Sequence, residues 1–510
     1  MSDQSANNKR IAKNTAYLYI RMFISMSVSL YTSRVILQTL GVEDYGVYNV
    51  VGGVVAMFSF INATMSSATS RFLTFELGKG TRDKLKETFN SSFWVHVIIA
   101  VIIFLLSETI GLWFLVNKMV IPEGREIATH IVYQLSILST LISITQVPYN
   151  ATLIAHEKMD IYAYVEMVNV FLRLLILYIL VLVDFDKLIL YGILTMTVST
   201  GIAAFYRFYC VRHYSECRIR LGVKNEVLKP MLSFSGWDFY GNMTVTARTQ
   251  GVSMLLNVFF GPVMNAAAGI SASVQNAVMA FAGNVNTAVR PQIIKYYAIG
   301  EYKKMASLIN NACKLNFLVM AMLIVPICFE IDYIFKIWLG NVPAMSNIFC
   351  ILTLSFNLFA NMSFLVNLGN HAAGKILRPS VINGTLYIMV IPISYISYRL
   401  GGPAWISYLF NLVAVVFGML SNVYTLHLNV PEYSPIIFVR NVLIQCISTM
   451  AIGIIASCIV RGLLDESFIR LVVTSVVSAV FMGLFGWYVM LSSTIRSSAM
   501  SKIKQICKKV

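Results

Sequence analysis

The sequence predicts an all-α polytopic membrane protein with about fourteen transmembrane helices, arranged as two six-helix lobes around a central cavity plus two C-terminal helices. The first observation behind this fold class is composition. Of 510 residues, 57% are hydrophobic and only 12% are charged, and the mean hydropathy is +0.72. A soluble domain carries about 25% charged residues. The composition therefore excludes ordinary globular, fibrous and disordered classes.

The second observation is the spacing of the apolar residues. A helix that spans a bilayer needs about 20 mostly apolar residues, and helices are the economical spanning structure because lipid satisfies no backbone group. Fourteen stretches of this kind occur in the chain. They are 15–37, 46–66, 91–115, 128–151, 161–183, 187–208, 231–257, 263–289, 308–328, 344–368, 379–398, 403–426, 436–460 and 468–491.

Loop charge supports this count. With the N-terminus in the cytoplasm, 27 of the 39 Lys and Arg residues fall in cytoplasmic segments and seven in the opposite loops. The positive-inside rule requires such an asymmetry. It predicts a multi-pass membrane protein with both termini in the cytoplasm. It also accounts for the net charge of +16 without nucleic acid, and anionic lipid headgroups suit the basic C-terminal tail.

A weak internal repeat relates the first helix pair to the seventh and eighth helices. Each pair contains an apolar helix end, a glycine, a short turn and a helix of small residues that ends at an arginine. The spacing is 30 residues from Gly41 to Arg71 and 29 from Gly261 to Arg290. The repeat predicts an N-terminal lobe of residues 1–213, a C-terminal lobe of 214–430, and a third segment, 431–510, with the last two helices and the basic tail.

Charged residues inside the predicted helices are the candidate functional groups. A charge there costs from about 2.5 kcal/mol upward and usually faces a cavity or a partner. The interior contains five basic residues and two acids, which are Arg21, Arg34, Arg173, Arg248, Lys314, Glu166 and Asp238. An excess of positive charge favours an anion, and the planar guanidinium group suits phosphate oxygens.

Structural explanations compete with this interpretation. Glu166 and Arg173 lie on one helix face, so they are candidates for pairing as well as for ion coupling, and Asp238 is a candidate partner for an arginine of the first helix. Lys314 and Arg21 are able to extend to the membrane interface. Arg34 and Arg248 have the fewest such alternatives, and are the leading candidates. Near Asp238, three further side chains are candidate sugar contacts: Trp237, Tyr240 and Asn242.

No sequence pattern indicates an enzyme, a cofactor or a metal. The eight cysteines contain no CxxC pair, the six histidines contain no HExxH motif, and no nucleotide-binding loop is present. A polysaccharide polymerase or ligase shares this hydropathy but usually has a large external loop, whereas no external loop here exceeds about 20 residues. We therefore predict no catalytic residues, no metal and no cofactor.

The first helix pair carries a more specific signal. The segment "TSRVILQTLGVEDYGVYNVVGGVV" places an arginine before an "LG-x-x-x-YG-x-Y" turn and a long helix of small residues. It resembles the opening of bacterial polysaccharide-repeat flippases, of the O-antigen and capsule type, which belong to the multidrug/oligosaccharidyl-lipid/polysaccharide (MATE-like) exporter superfamily.

The resemblance implies a two-lobed exporter that works by alternating access. Its substrate would be an oligosaccharide repeat unit on undecaprenyl pyrophosphate, moved from the cytoplasmic to the periplasmic leaflet during O-antigen or lipopolysaccharide biosynthesis. By similarity, Arg21, Arg34 and Arg248 would line the central cavity, and helices 13 and 14 would form a groove for the lipid tail. Membrane lipids, a polysaccharide polymerase and a chain-length protein would be its partners.

The alternative is a cation-coupled multidrug or small-molecule exporter of the same superfamily. Such exporters typically have a carboxylate in the first lobe for proton or sodium coupling. The first helix here has none, and Glu166 is the first-lobe acid assigned to a helix interior. This departure favours an anionic substrate.

Overall fold

The computed structural model describes residues 2–58, 69, 72–73, 76–77, 82–156, 158–219, 225–375 and 377–490 of the chain. Within these ranges the secondary structure is helical, without a β-strand. The helices are α1 (Ser2–Met57), α2 (Arg82–Leu106), α3 (Leu112–Asn117), α4 (Glu126–Ala155), α5 (Met159–Leu182), α6 (Lys187–His213), α7 (Asn225–Phe260), α8 (Pro262–Ala298), α9 (Tyr302–Phe329), α10 (Ile331–Leu339), α11 (Ser346–Ala372), α12 (Leu377–Arg399), α13 (Ile406–Asn429), α14 (Pro435–Phe438), α15 (Ile444–Leu463) and α16 (Phe468–Val489).

Two π-helical segments make longer helices continuous. Ser107–Gly111 joins α2 to α3, and Val439–Leu443 joins α14 to α15. The two halves of α1 and twelve further long helices then correspond one to one with the fourteen predicted stretches. Among the described residues, nine helices are long and apolar enough to cross a membrane by length and composition alone. The predicted fold class is confirmed.

Two glycines with positive φ lie at matching positions of the predicted repeat. Gly41 has a φ of 81° and a ψ of 170° and divides α1 into two halves, while Gly261 has a φ of 78° and separates α7 from α8. L-residues with a Cβ rarely adopt this left-handed conformation, so glycine is required at both points. The matched glycines thus have the same backbone role, as the repeat predicts. Arg71 lies outside the described residues.

The chain divides into two compact units. The first contains Met1–Ser273 and Ile388–Ala404, and the second contains Val274–Tyr387 and Trp405–Val510. In the first unit α4 packs on α6 and α2, with Phe89, Tyr133 and Tyr149 fully buried. In the second unit α11 packs on α13 and α9, and α15 and α16 pack on each other and on α9. The predicted lobe boundaries after residues 213 and 430 stay a prediction.

Polar residues in the second unit bond mainly to one another. Asn286 donates to Asn361 at 3.2 Å and accepts from Asn316 at 3.1 Å, and Gln275 donates to Asn357 at 2.9 Å. Such amide pairs satisfy polar groups in an apolar interior. This explains how the amide-rich helix α8 is accommodated.

Candidate functional site

Arg34 lies in the first half of α1, seven residues before the bend at Gly41. Its side chain is half-buried, and it forms no hydrogen bond or ion pair within the described part of the chain. The neighbouring Ser33 contacts Ser273 of α8 with 3.0 Å between the hydroxyl oxygens. A role for the Arg34 guanidinium group in anion binding stays a prediction. The side chain of Arg21, further back on α1, lies outside the described residues.

Arg248 lies on α7, which packs against α1 in the same unit. It is 8% exposed, so the structure places a guanidinium group in the interior of the unit, on a helix adjacent to that of Arg34. Of the predicted sugar contacts, Tyr240 is half-buried and Asn242 is exposed. The side chains of Trp237 and Asp238 lie outside the described residues, so their roles stay predictions.

Arg173 on α5 is exposed, and its Nε donates to Oδ1 of Asn169 at 3.4 Å. Its charge also acts on the hydroxyl groups of Tyr48 and Tyr191. The rings of these two tyrosines meet edge to face, with centroids 4.7 Å apart. Arg173 is thus next to a polar tyrosine pair of α1 and α6. The side chain of Glu166, its predicted partner, lies outside the described residues.

Arg207 is a further cation that the sequence interpretation assigned to a cytoplasmic segment. The structure places it inside α6, six residues before the helix ends at His213. Its Nη2 donates to Oγ1 of Thr145 at 2.5 Å, and its guanidinium lies 6.0 Å from the ring centre of Tyr149 on α4. A neutral hydroxyl and an aromatic face orient a guanidinium group without cancelling its charge.

These cations share one electrostatic property. Within the described residues, none of Arg34, Arg173 and Arg207 forms an ion pair with a carboxylate. Uncompensated guanidinium groups in membrane-spanning helices attract anions and bind phosphate oxygens in a bidentate manner. Binding of a phosphate-bearing ligand by these residues stays a prediction.

Lys314, the fifth predicted interior cation, has a structural contact. Its Nζ donates to the carbonyl oxygen of Met490 at 3.1 Å, at the end of α16. A cation at the C-terminus of a helix satisfies a carbonyl group and interacts favourably with the helix dipole. Lys314 therefore stabilises the end of the last long helix.

The count of two interior acids is wrong. Glu108 lies in the π-helical segment of the continuous helix Arg82–Asn117, which is a candidate membrane span. Its position inside the stretch "VIIFLLSETIGLWFLV" was a signal in the sequence itself. Among the described residues no group of three or more His, Cys, Asp and Glu is placed to hold a metal, and the absence of a cofactor stays a prediction.

An ion-pair cluster connects three turns at the predicted external end of the first unit. Arg125 donates from Nε and Nη2 to the two carboxylate oxygens of Asp44, at 2.8 and 2.5 Å, and from Nη1 and Nη2 to Asp186, at 2.5 and 3.2 Å. Asp186 also caps α6 by accepting the backbone N–H of Ile189 at 3.0 Å. A cavity of about 730 Å³ borders the cluster, with Glu43 and Glu123 in its lining.

The two carboxylates of this cluster differ. Burial raises the pKa of Asp44 above its ordinary value, aided by the charges of Asp186 and Glu43, and Arg125 only partly opposes this. Burial acts in the same direction on Asp186, but the Arg125 guanidinium and the backbone N–H of Ile189 outweigh it, so the pKa of Asp186 is lowered. The fold thus favours the ionised form of Asp186 more than that of Asp44.

At pH 7.5 we expect Asp186→Asn to destabilise the protein by about 1 kcal/mol. We expect Asp44→Asn to destabilise it less. The stabilisation from Asp186 is present above its ordinary pKa and is lost as the pH falls through its lowered pKa. Asp44 in the folded protein instead takes up a proton at a higher pH than Asp44 in the unfolded chain. On acidification, the stability of Asp44→Asn therefore becomes equal to that of the wild type before the stability of Asp186→Asn does. Thermal unfolding of the purified variants between pH 7.5 and 3 measures this order. Glu123→Gln, at an exposed carboxylate of the same cavity, serves as the control. If Asp186→Asn reached the wild-type stability at a higher pH than Asp44→Asn, the assigned pKa directions would be wrong.

Comparison with known proteins finds a family model and a relative that match this chain. Residues 19–179 match the MatE family model. A protein of Bacillus subtilis (strain 168), described as the uncharacterized membrane protein EpsK, is 22% identical over 341 residues, which cover 66% of this chain and 65% of that protein. The match thus spans just under two thirds of that relative.

Solved structures give the same result for the fold. The lipid II flippase MurJ in an inward closed conformation superposes with a TM-score of 0.63 at 13% identity, covering 92% of this chain and 99% of that chain. An inward-facing multidrug resistance MATE family transporter of the MOP superfamily superposes with a TM-score of 0.59 at 14% identity, covering 79% of this chain and 95% of that chain. The fold that the resemblance implies is confirmed: the chain is a multi-pass membrane protein with the fold of the MOP-superfamily transporters.

Proposed function

We propose that this protein is a lipid-linked oligosaccharide flippase. Its substrate is an oligosaccharide repeat unit on undecaprenyl pyrophosphate, which it moves from the cytoplasmic to the periplasmic leaflet of a bacterial inner membrane by alternating access. A polysaccharide polymerase and a chain-length protein then use the translocated unit. The chain acts as a transporter and carries no catalytic residues.

The observation that carries this proposal is the set of guanidinium groups without carboxylate partners in the first unit. Arg34, Arg173 and Arg207 form no ion pair within the described residues. Arg248, which has a contact of its own and is not part of this set, is buried at 8% exposure on the helix that packs against α1. A pyrophosphate headgroup supplies the missing negative charge and two sets of oxygens for bidentate contacts. A cationic drug would instead meet repulsion at each of these positions. One solved structure of this fold is that of a lipid II flippase, which also supports a lipid-linked substrate.

The energetics support net outward movement. A pyrophosphate that leaves the negative cytoplasm moves down the membrane potential, which contributes about 2.3 kcal/mol per charge per 100 mV. The lipid tail requires only an apolar surface, for which the last two long helices, packed on α9, are the candidates. Recognition thus depends on the headgroup, and the tail remains in the bilayer.

The alternative function is a cation-coupled exporter of small molecules. The fold it shares with a multidrug resistance transporter of the MATE family favours this function. The two functions predict opposite phenotypes for a strain without the gene, so a single strain separates them.

We expect cells that lack the gene to lose surface polysaccharide and to accumulate the undecaprenyl-pyrophosphate-linked repeat unit, because the unit stays in the cytoplasmic leaflet. Mass spectrometry of extracted lipid-linked oligosaccharides measures the accumulation, and a plasmid copy of the wild-type gene serves as the control. Normal surface polysaccharide, together with increased sensitivity to cationic dyes, would reject the flippase and support the small-molecule exporter.

A further inference from the structure

Arg207 on α6 is oriented by neutral groups of the neighbouring helix α4. Its Nη2 donates to Oγ1 of Thr145 at 2.5 Å, and its guanidinium lies 6.0 Å from the ring centre of Tyr149, which is 2% exposed. The Thr145 hydroxyl itself donates to the carbonyl oxygens of Leu141 and Ile142, at 3.1 and 3.0 Å. Its oxygen therefore accepts from Arg207, and this contact fixes the direction of the guanidinium group.

The guanidinium group of Arg207 points into the membrane and not toward its surface. The helices α4 and α6 end at one level, because the residues that follow them, His156 and Tyr214, stack with ring centroids 4.1 Å apart. Arg207 lies six residues, or about 9 Å, before the end of α6, and its acceptor Thr145 lies ten residues, or about 15 Å, before the end of α4. An arginine that extended to the interface would turn the other way. The charge therefore stays below the interface, where it is costly without a counter-charge.

The described part of the chain supplies no counter-charge for Arg207. A guanidinium group has five N–H donors, but the hydrogen bond to Thr145 is the one that Arg207 forms there, and its Nε has no partner. No ion pair of the described residues includes Arg207. Glu216, nine residues further along the chain, is already engaged, since its Oε1 lies 2.7 Å from Nε2 of His156. The negative charge is therefore expected from a bound molecule.

The surface of α6 beside Arg207 is apolar and exposed. Ala204 and Val211 lie three residues before and four residues after Arg207, which places them on the same side of the helix, and both are exposed. Phe208, the next residue in the chain, is 65% exposed. Because α6 is apolar enough to span the membrane, an exposed apolar face on it contacts lipid. Arg207 thus lies where the contact between α4 and α6 meets the surrounding lipid.

Aromatic and basic side chains mark the membrane interface close to this site. Tyr209 stacks on His213 with ring centroids 4.1 Å apart, and Arg212 between them is exposed. Tyrosine and arginine at a helix end are typical of the headgroup level, where their polar groups reach water. Loop charge predicts that this end of α6 is cytoplasmic. A lipid phosphate of that leaflet is therefore within about one to two helical turns of Arg207.

We propose that the groove between α4 and α6 binds one anionic phospholipid of the surrounding leaflet, with its phosphate on the guanidinium group of Arg207. A guanidinium below the interface attracts a headgroup inward and thins the bilayer locally, and its planar fork fits two phosphate oxygens. The acyl chains lie along the exposed apolar face of α6. This site does not depend on the proposed function, and it leaves Arg34 and Arg173 for the transported headgroup.

Native mass spectrometry of the purified full-length protein in detergent tests the site by counting bound lipids. The probes are dioleoylphosphatidylglycerol and dioleoylglycerol, which have the same acyl chains and differ in the phosphate headgroup. We expect the wild type to bind one phosphatidylglycerol more tightly than dioleoylglycerol. Arg207→Gln should weaken phosphatidylglycerol binding about 10- to 100-fold, because charge-assisted hydrogen bonds are lost, and should leave dioleoylglycerol binding unchanged. Equal phosphatidylglycerol binding by the wild type and Arg207→Gln overturns the proposal.

Arg399→Gln is the matched control, because Arg399 has the same kinds of contact but is exposed at a helix end. Its Nε donates to the hydroxyl of Tyr395 at 3.0 Å, and its guanidinium lies 5.4 Å from the centre of that ring. This variant should bind phosphatidylglycerol like the wild type. If Arg207→Gln fails to fold, Arg207→Lys keeps the charge but loses the planar fork, so we expect an affinity about tenfold lower. An unchanged affinity in Arg207→Lys counts against the site.

Two further probes separate the sources of the phosphate group. Undecaprenyl phosphate carries this group on a polyprenyl chain, and inorganic pyrophosphate carries it without a lipid. If undecaprenyl phosphate alone distinguishes the wild type from Arg207→Gln, the groove receives the transported carrier and the phospholipid site is wrong. If inorganic pyrophosphate displaces phosphatidylglycerol from the wild type, the guanidinium group faces water, which also overturns the proposal. Because neither transport nor polysaccharide is measured, this result and the gene-loss phenotype fail independently.

Discussion

Replacement of Arg34 or Arg248 by alanine is expected to stop the assembly of surface polysaccharide while the protein remains in the membrane. In the proposed function, each guanidinium supplies charge-assisted hydrogen bonds to phosphate oxygens, which contribute about 1.5–3 kcal/mol. Loss of one such contact in the transition state of translocation slows the step about 10- to 100-fold. Complementation of a gene-deletion strain, with surface polysaccharide quantified against protein abundance, measures the effect.

Lysine and a remote arginine provide the controls for this experiment. Lysine keeps the charge but lacks the planar fork, so Arg34→Lys and Arg248→Lys should restore polysaccharide only in part. Arg399 is exposed at the end of α12, where its Nε donates to the hydroxyl of Tyr395 at 3.0 Å, and Arg399→Ala should leave polysaccharide at the wild-type level. Normal polysaccharide in both alanine variants would remove these residues from the site.

The long-range features of the fold follow from composition because they obey a simple energetic rule. Lipid excludes unpaired backbone groups, so helix number and position can be read from hydropathy. The bend at Gly41 also follows from the "LG-x-x-x-YG-x-Y" motif. The sequence predicts a turn between residues 37 and 46, whereas the structure has a single non-helical residue there. One left-handed glycine redirects the chain without a loop.

Features that depend on contacts between distant residues could not be predicted. Asp44 lies 81 residues and Asp186 lies 61 residues from Arg125, and each appears in the sequence as an ordinary loop charge. Their proximity depends on how three helix ends meet, which periodicity does not contain. Glu108 was missed for a different reason, since a single acid hardly changes the hydropathy of a strongly apolar stretch.

The second large effect is expected at a buried ion pair in the second unit. Glu330 accepts hydrogen bonds from Nε and Nη2 of Arg470, with the shortest distance 2.8 Å, and from Oγ1 of Thr474 at 3.1 Å. The side chain of Glu330 is 0% exposed and that of Arg470 is 9% exposed. This pair connects the end of α9 to the first turn of α16. Arg470→Met leaves an unpaired buried carboxylate, so we expect a loss of about 3–5 kcal/mol in stability and a lower melting temperature.

Two further variants distinguish loss of the pair from loss of packing. Glu330→Gln combined with Arg470→Met removes both charges, so the double variant should be more stable than Arg470→Met alone, because no buried charge is left unpaired. Lys336→Met breaks the exposed pair with Glu466, whose atoms are 3.9 Å apart, and should leave the melting temperature unchanged because solvent screens that pair. If the double variant were no more stable than Arg470→Met, the destabilisation would come from packing around the arginine stem, and the ion pair would not be what attaches α16 to α9.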